Sequence, residues 1–446
     1  MSAALVLLAS LIGVIPEILV IDETIIDGFI LAVVAIGIAI VALDMRPGEA
    51  GRLIDLLRTV AIVALIPAIW MLIQIVPLSV VGWAHPVWTS AAAALGRSIA
   101  GTISIDSGAT LLSLSRYLCF TGIVLLSTAV SIERERARLM LILLTGVTTL
   151  IAAELMSYQL GYFRVFLGEF GDTIKHAEAL DSAALGLILS ACLGIRALER
   201  YETRPERTFA KLALAVVACT GAFAICLGAL LLNWDRIVFF GISYGLAILI
   251  GVAAIRRLRI GRWGKFGLVS LALLGAVGFI ATTPGNPGLD LTLVWSSRTS
   301  GSDAIAQRIL SDVPWTGTGA GTFEFLLSIY RAADEIGVSA APTAAASIAI
   351  EMGRPMLLVV MSMTLLGIWM LIQGALRRGR DSFYPGGGAG CLVALLILAF
   401  GNTGVLGPAT SPLAGAIVGL ALAQSKSWIN RAQPTVELDS AEVLTY

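Results

Sequence analysis

Charge is what this chain has least of. Only 13% of its 446 residues are Asp, Glu, Lys or Arg, and 30 acids cancel 30 bases. So sparse and balanced a charge offers the phosphates of nucleic acid nothing to bind, and no nucleic-acid partner is expected. Histidine is scarcer still, with two residues. The five cysteines (Cys119, Cys192, Cys219, Cys226, Cys391) sit inside apolar runs without a C-x-x-C pair. Disulfides and zinc drop out on that spacing, and no metal site is expected. No basic segment precedes the first apolar run at Ser2, so that run does not read as a cleavable signal peptide.

What the chain has in excess is hydrocarbon. It is 57% hydrophobic, with a mean hydropathy of +0.90, against about 45–50% apolar in soluble proteins. The fold class this predicts is all-α, a polytopic integral membrane protein. Runs long enough to span a bilayer, about 20 residues, lie at roughly 3–20, 29–43, 60–80, 111–130, 139–158, 181–198, 210–232, 237–255, 266–282, 355–376, 389–402 and 406–424. These runs are continuously apolar, whereas barrel strands alternate apolar and polar residues, so helices are predicted. About twelve transmembrane helices follow: nine in 1–289, a polar helical loop at 290–354, three more in 355–424, and a polar tail at 425–446.

Orientation comes from the basic residues. Of the 30 Lys and Arg, 21 fall near 46–58, 134–138, 196–211, 256–265, 377–380 and 426–431, all on one side of a twelve-helix arrangement. That side is cytoplasmic by the positive-inside rule, which puts both termini inside and the 290–354 loop outside. The remaining nine are Arg97, Arg116, Arg164, Lys175, Arg236, Arg298, Arg308, Arg331 and Arg354. Topogenesis selects against cations there, so the ones kept near helix ends are candidates for use, although solvation is the commoner role of any single one. Arg116 lies near a predicted helix start, where it can snorkel. Arg236 sits in the tight N-W-D-R turn and cannot leave the membrane surface. No charged residue is read deep within a span and no inverted repeat is evident, which disfavours a transporter.

The loop after the third span carries Trp83 and Trp88, expected as interfacial anchors, around a solvated His85. The other histidine, His176, precedes the sixth span. In the large loop, Ser300-x-x-Asp303 resembles a capping box and starts a short helix ahead of Pro314. A second helix is predicted over about 322–336 and a third from Pro342 to Gly353. Gly317, Gly319 and Gly321 alternate between these, but G-x-G-x-G lacks the spacing, the strand and the lysine of a nucleotide loop. Two roles stay open for it: a row of N–H groups facing an anion, or a tight turn that brings backbones close. Gly241-x-x-x-Gly245 and Gly415-x-x-x-Gly419 read as helix-packing faces.

Four features together resemble the O-antigen ligase and surface polysaccharide polymerase superfamily. They are the W-x-x-x-x-W loop with I-S-I-D-S-G-A-T, the Arg236 turn, the run R-I-L-S-D-V-P-W-T-G-T-G-A-G-T-F after Arg298, and E-M-G at Glu351. The similarity covers most of the chain and is strongest over Arg298–Phe323. It implies a glycosyltransferase without metal or cofactor, at the outer face of the bacterial inner membrane. Such an enzyme passes a glycan from a polyprenyl-diphosphate carrier to a lipid or sugar acceptor. By resemblance Arg236 and Arg298 bind the diphosphate, with Arg116 and Arg308 in support, since arginine meets phosphate with a planar fork of donors. The family's His-Asn pair, which supplies the base, is replaced here by Pro342-Thr343, and its S-R-G turn by D-R-I. A relocated base would come from Asp172, His176, Glu178, Asp181, Asp334, Glu335 or Glu351. His176 is placed first for its near-neutral pKa and Glu351 second for its expected burial. The alternative of another class is a non-catalytic membrane partner or lipid-linked-glycan binder.

Overall fold

The computed structural model describes residues 2–18, 23–44, 47–77, 83–161, 173–203, 209–257, 267, 300–330, 343–377 and 381–425. Every regular element among them is helical, and eight helices are long and apolar enough to cross a membrane. The protein is an all-helical, multi-pass membrane protein. Of the predicted spans, the one at 266–282 lies, apart from Gly267, outside the described residues.

The chain runs through α1 (Ser2–Ile18), α2 (Glu23–Asp44), α3 (Pro47–Ile75), a short α4 (Val87–Leu95), α5 (Ser107–Val130), α6 (Arg134–Gln159), α7 (Thr173–Thr203), α8 (Phe209–Leu232) and α9 (Arg236–Arg257). Three short helices follow, α10 (Ser300–Asp312), α11 (Phe323–Tyr330) and α12 (Ala344–Glu351). The chain closes with α13 (Arg354–Arg377), α14 (Phe383–Leu398), a 3-10 turn at Gly404–Leu406 and α15 (Thr410–Ala423). α4 was not expected, because W-T-S-A-A-A-A-L was read as loop. A cap explains it: the His85 imidazole accepts the Val87 N–H at 3.2 Å, and Gly96 ends the helix in the left-handed region. His85 is thus a structural residue rather than a solvated one, and burial lowers its pKa.

α7 is the central helix, 78% buried over its span, whereas α3 is 22% buried and turns Ile62, Leu65, Ile69 and Leu72 outward. In lipid, helices associate by close van der Waals packing rather than by hydrophobic force, which favours small residues at their crossings. α9 and α14 meet in that way: a Cβ on Gly245 would stand 2.7 Å from the Gly390 carbonyl oxygen.

Hydrogen bonds sort the helix ends into two groups. At one end Gln424 of α15 donates to the Ser131 and Ile132 carbonyls, Arg134 pairs with Asp381, and Arg256 pairs with Glu199. At the other, the ends of α3, α5, α7, α14 and α15 are tied to one another and to the three short helices, which form a cap.

The reading that no charge lies deep within a span needs correction. Glu154 lies in α6, and Glu178 and Asp181 lie in α7, the latter two buried. α7 begins at Thr173, eight residues before the predicted span. Lys175, His176, Glu178 and Asp181 depress the local hydropathy, yet the last two point inward to partners.

Candidate functional site

The cap is fastened mainly through backbone. After Pro314, whose carbonyl accepts the Gly317 N–H at 2.9 Å, the glycines at 317, 319 and 321 adopt φ of 80°, 107° and 78°. Residues without a Cβ take up that region readily. The amides this exposes are all used. Thr318 and Gly319 donate to the Ile350 and Glu351 carbonyls, at 3.2 and 2.9 Å, and Ala320 donates to Gln74 Oε1 at 3.3 Å. Gly321 and Phe323 donate to the two carboxylate oxygens of Glu351, at 2.8 and 3.2 Å. Both roles left open by the sequence therefore hold in part. The glycines make a close turn, and the anion at the start of α11 is the chain's own Glu351.

Gln74, buried at the end of α3, is the counterpart from the membrane side. Its Nε2 donates to the Thr316 and Glu351 carbonyls, at 3.2 and 3.0 Å, and its backbone carbonyl accepts the Ser104 amide. The tryptophans join in. Trp70 donates to the Met352 carbonyl, Trp88 to that of Ser104, and Trp83 packs edge-on against Trp315 at 6.1 Å. These anchors therefore bind cap to rim. Glu351 itself is partly buried, and the loss of hydration raises its pKa to about 7 against the opposing pull of the bonds from Gly321, Phe323 and Ser347.

Beside the cap, the turn between α14 and α15 covers the two buried carboxylates of α7. Asn402 organises it. Its carbonyl accepts the Ala344 amide at 2.9 Å, its Oδ1 accepts the Gly404 amide at 2.9 Å, and its Nδ2 donates to Asp181 Oδ1 at 2.9 Å. The Gly404 bond fixes which way the side-chain amide faces, so Asp181 meets the NH2 group. Glu178, one turn earlier, accepts the Ala409 amide on Oε2 at 2.8 Å and so helps hold the start of α15. Asp181 Oδ2 is buried with no hydrogen-bond partner among the described residues. At 1.5 Å per residue it lies about 12 Å inward from the start of α7.

Two of the four arginines border this turn. At its Gly401 end, a Cβ would touch Ile237, the residue after Arg236. Arg236 is exposed in the first turn of α9, where Asp235 caps the Ile237 N–H at 2.9 Å. At the other end, Leu406, Gly407, Pro408, Ser411 and Pro412 line a small cleft whose far wall is Arg116 of α5 and Asp27 of α2. Arg116 is ion-paired to Asp27 there, so it does not snorkel freely. Arg308 lies apart, exposed on α10, donating to the Tyr330 carbonyl at 3.4 Å. His176 is partly buried near the start of α7 and engaged by a neighbour. Arg298, Asp172, Asp334, Glu335 and Pro342 lie outside the described residues. Thr343 is buried, and its Oγ1 caps α12 by accepting the Ala346 N–H at 3.1 Å.

Sequence reasoning passed over Gln74 and Asn402. The signal for Gln74 was present: it is the one polar side chain in I-P-A-I-W-M-L-I-Q-I-V, and an amide retained in such a run needs partners. Asn402, in A-F-G-N-T-G-V-L-G, was read only as the end of the predicted run 389–402. The site offers cations at two edges of a turn, a buried carboxylate with an oxygen to spare below it, and a cap alongside. Compared with family models, curated proteins and solved structures, the chain matches none.

Proposed function

We propose that the protein transfers a glycan from a polyprenyl-diphosphate carrier to a lipid or sugar acceptor at the outer face of the bacterial inner membrane. This is the chemistry of the O-antigen ligase and polysaccharide polymerase superfamily that its motifs resemble. The cap faces outward and the basic ends face the cytoplasm. Arg236 and Arg298 bind the diphosphate, with Arg116 and Arg308 in support, and stabilise the charge that gathers on it as the glycosidic bond breaks.

The observation that carries the reading is the turn 401–408. Arg236 and Arg116 stand at its two edges, and Asn402 within it connects the cap at Ala344 to a buried carboxylate. A phosphate bound at an edge would lie close to a group able to accept a proton.

One feature favours the alternative, a glycan-lipid binder without catalysis. Pro342-Thr343 stands where the resembled family has its His-Asn pair, and Thr343 spends its side chain on capping α12. Complementation of a deletion strain separates the two. Arg236→Ala is expected to abolish display of the surface glycan at normal protein level. Arg236→Lys, which keeps charge but not the bidentate fork, retains part of it. Normal display by Arg236→Ala and Arg298→Ala alike would remove both from the mechanism. Transfer by the purified protein decides between enzyme and binder.

A further inference from the structure

We infer that Asp181 is the general base that takes the acceptor's proton, an inference that rests on the transferase reading. The competing groups are occupied. Glu351 has both carboxylate oxygens committed to the Gly321 and Phe323 amides. Glu178 gives Oε2 to Ala409, and His176 is engaged by a neighbour. Asp181, by contrast with these three, is completely buried and keeps an oxygen that has no hydrogen-bond partner among the described residues. A fold does not leave a buried acceptor unmet without loss, so a position that keeps one is a place where a donor is expected to arrive.

The surroundings aim that oxygen. Asn402 holds Oδ1, which fixes the carboxylate plane, and leaves Oδ2 against Gly404, where a Cβ would come within 2.7 Å of it. The turn above carries no titratable residue from Gly401 to Ala409. Nor does α15; α14 has Tyr384 and Cys391, α8 has Lys211, Cys219 and Cys226, and α12 has only Glu351, at its far end. Asp235, just ahead of α9, interacts electrostatically with Asp181, and Lys175, His176 and Glu178 precede it on its own helix. Asn402 is also bonded to Ala344, so the carboxylate is coupled to the cap.

In the step, Oδ2 takes the proton of the acceptor hydroxyl as its oxygen forms a bond to the anomeric carbon of the donor sugar. The bond from that carbon to the diphosphate oxygen breaks, and its electron pair leaves with the polyprenyl diphosphate, whose charge Arg236 meets. Asp181 finishes as a carboxylic acid and returns its proton to water when the product departs. To reach Oδ2 the acceptor requires the turn over it, packed on α7 at Gly404 and Gly407, to open toward the cleft at Arg116.

The test uses the full-length protein in proteoliposomes, a polyprenyl-diphosphate-linked oligosaccharide as donor and the lipid and glycan extract of the source cells as acceptor. Asp181→Asn preserves the shape and the bond from Asn402. It is expected to lower kcat by about 10²–10⁴-fold, to leave donor binding intact and to erase the limb of the pH profile on which rate rises with pH. Glu178→Gln is expected to keep that limb. A wild-type rate and profile in Asp181→Asn, alongside a dead Arg236→Ala, would overturn the inference and leave the transferase reading standing. If the wild-type protein transfers nothing, that reading fails and this inference fails with it. Should Asp181→Asn not fold, Asp181→Glu decides: a displaced midpoint of the rising limb supports the assignment, and an unmoved midpoint refutes it.

Discussion

Because Glu351 fastens the cap with a carboxylate whose pKa is raised, the cap should loosen as pH increases. In the folded chain burial lifts this pKa from 4.5 to about 7, while in the unfolded chain it returns to its ordinary value. Folding therefore takes up a proton between the two. The stabilisation is fully present below the unfolded value, declines as pH rises through the folded one, and is absent above it. A shift of this size corresponds to about 3 kcal/mol. Glu351→Gln keeps one oxygen for the Gly321 or Phe323 amide but turns an NH2 toward the other, a mismatch costing about 1–3 kcal/mol. Unfolding of the detergent-solubilised protein can be followed by tryptophan fluorescence, since Trp70 and Trp88 are hydrogen-bonded at the rim. From about pH 4 to about pH 8 the wild-type midpoint should fall. That of Glu351→Gln should begin lower and stay level, so that the gap closes with rising pH. Parallel curves for the two proteins would show that Glu351 does not titrate in the cap, and the argument from its burial would fail.

The same substitution should have opposite effects at two other positions. Gly319→Ala places a Cβ against Ser104 at a φ of 107° and should destabilise the fold by at least about 1–3 kcal/mol. Gly221→Ala, with nothing within 4 Å in the interior of α8, should stabilise by up to about 1 kcal/mol. Equal melting temperatures for both would contradict the turn geometry. Topology is open to labelling, because four of the five cysteines are buried. With Cys219 replaced by Ala, a membrane-impermeant maleimide should reach cysteines at the exposed Ser311 and Ser328 in intact cells and miss one at Glu133. Labelling at Glu133 alone would invert the protein.

The helices were legible wherever hydropathy alone decides. α5, α6, α8, α9 and α13 lie within a few residues of their predicted runs, and the polar interval breaks into short helices at α10, α11 and α12 much as its caps and prolines indicate. Misreadings fell where a polar residue is answered from far away. α7 starts early because Glu178 and Asp181 are met by Ala409 and Asn402, more than 200 residues later. The glycine turn could not be read as filled, because its anion comes from Glu351, some 30 residues on, with no local pattern linking them. The site suffered most. Asp181 was one of seven candidates and stood behind His176 and Glu351, and only the company each keeps separates them. Of the four arginines the resemblance singled out, Arg236 and Arg116 border one turn, Arg308 stands apart, and Arg298 lies outside the described residues.

Gln74 has a consequence for how the protein is made. The chain emerges from its N-terminus, and the acceptors of the Gln74 amide, Thr316 and Glu351, follow 242 and 277 residues later. Through much of synthesis α3 therefore waits with a polar group unanswered, which deep in hydrocarbon would cost several kcal/mol. Its place one residue from the end of α3 lets it wait at the water interface. Closure of the cap is thus a late event in biogenesis, since Gln74 cannot be answered before residue 316 has been made.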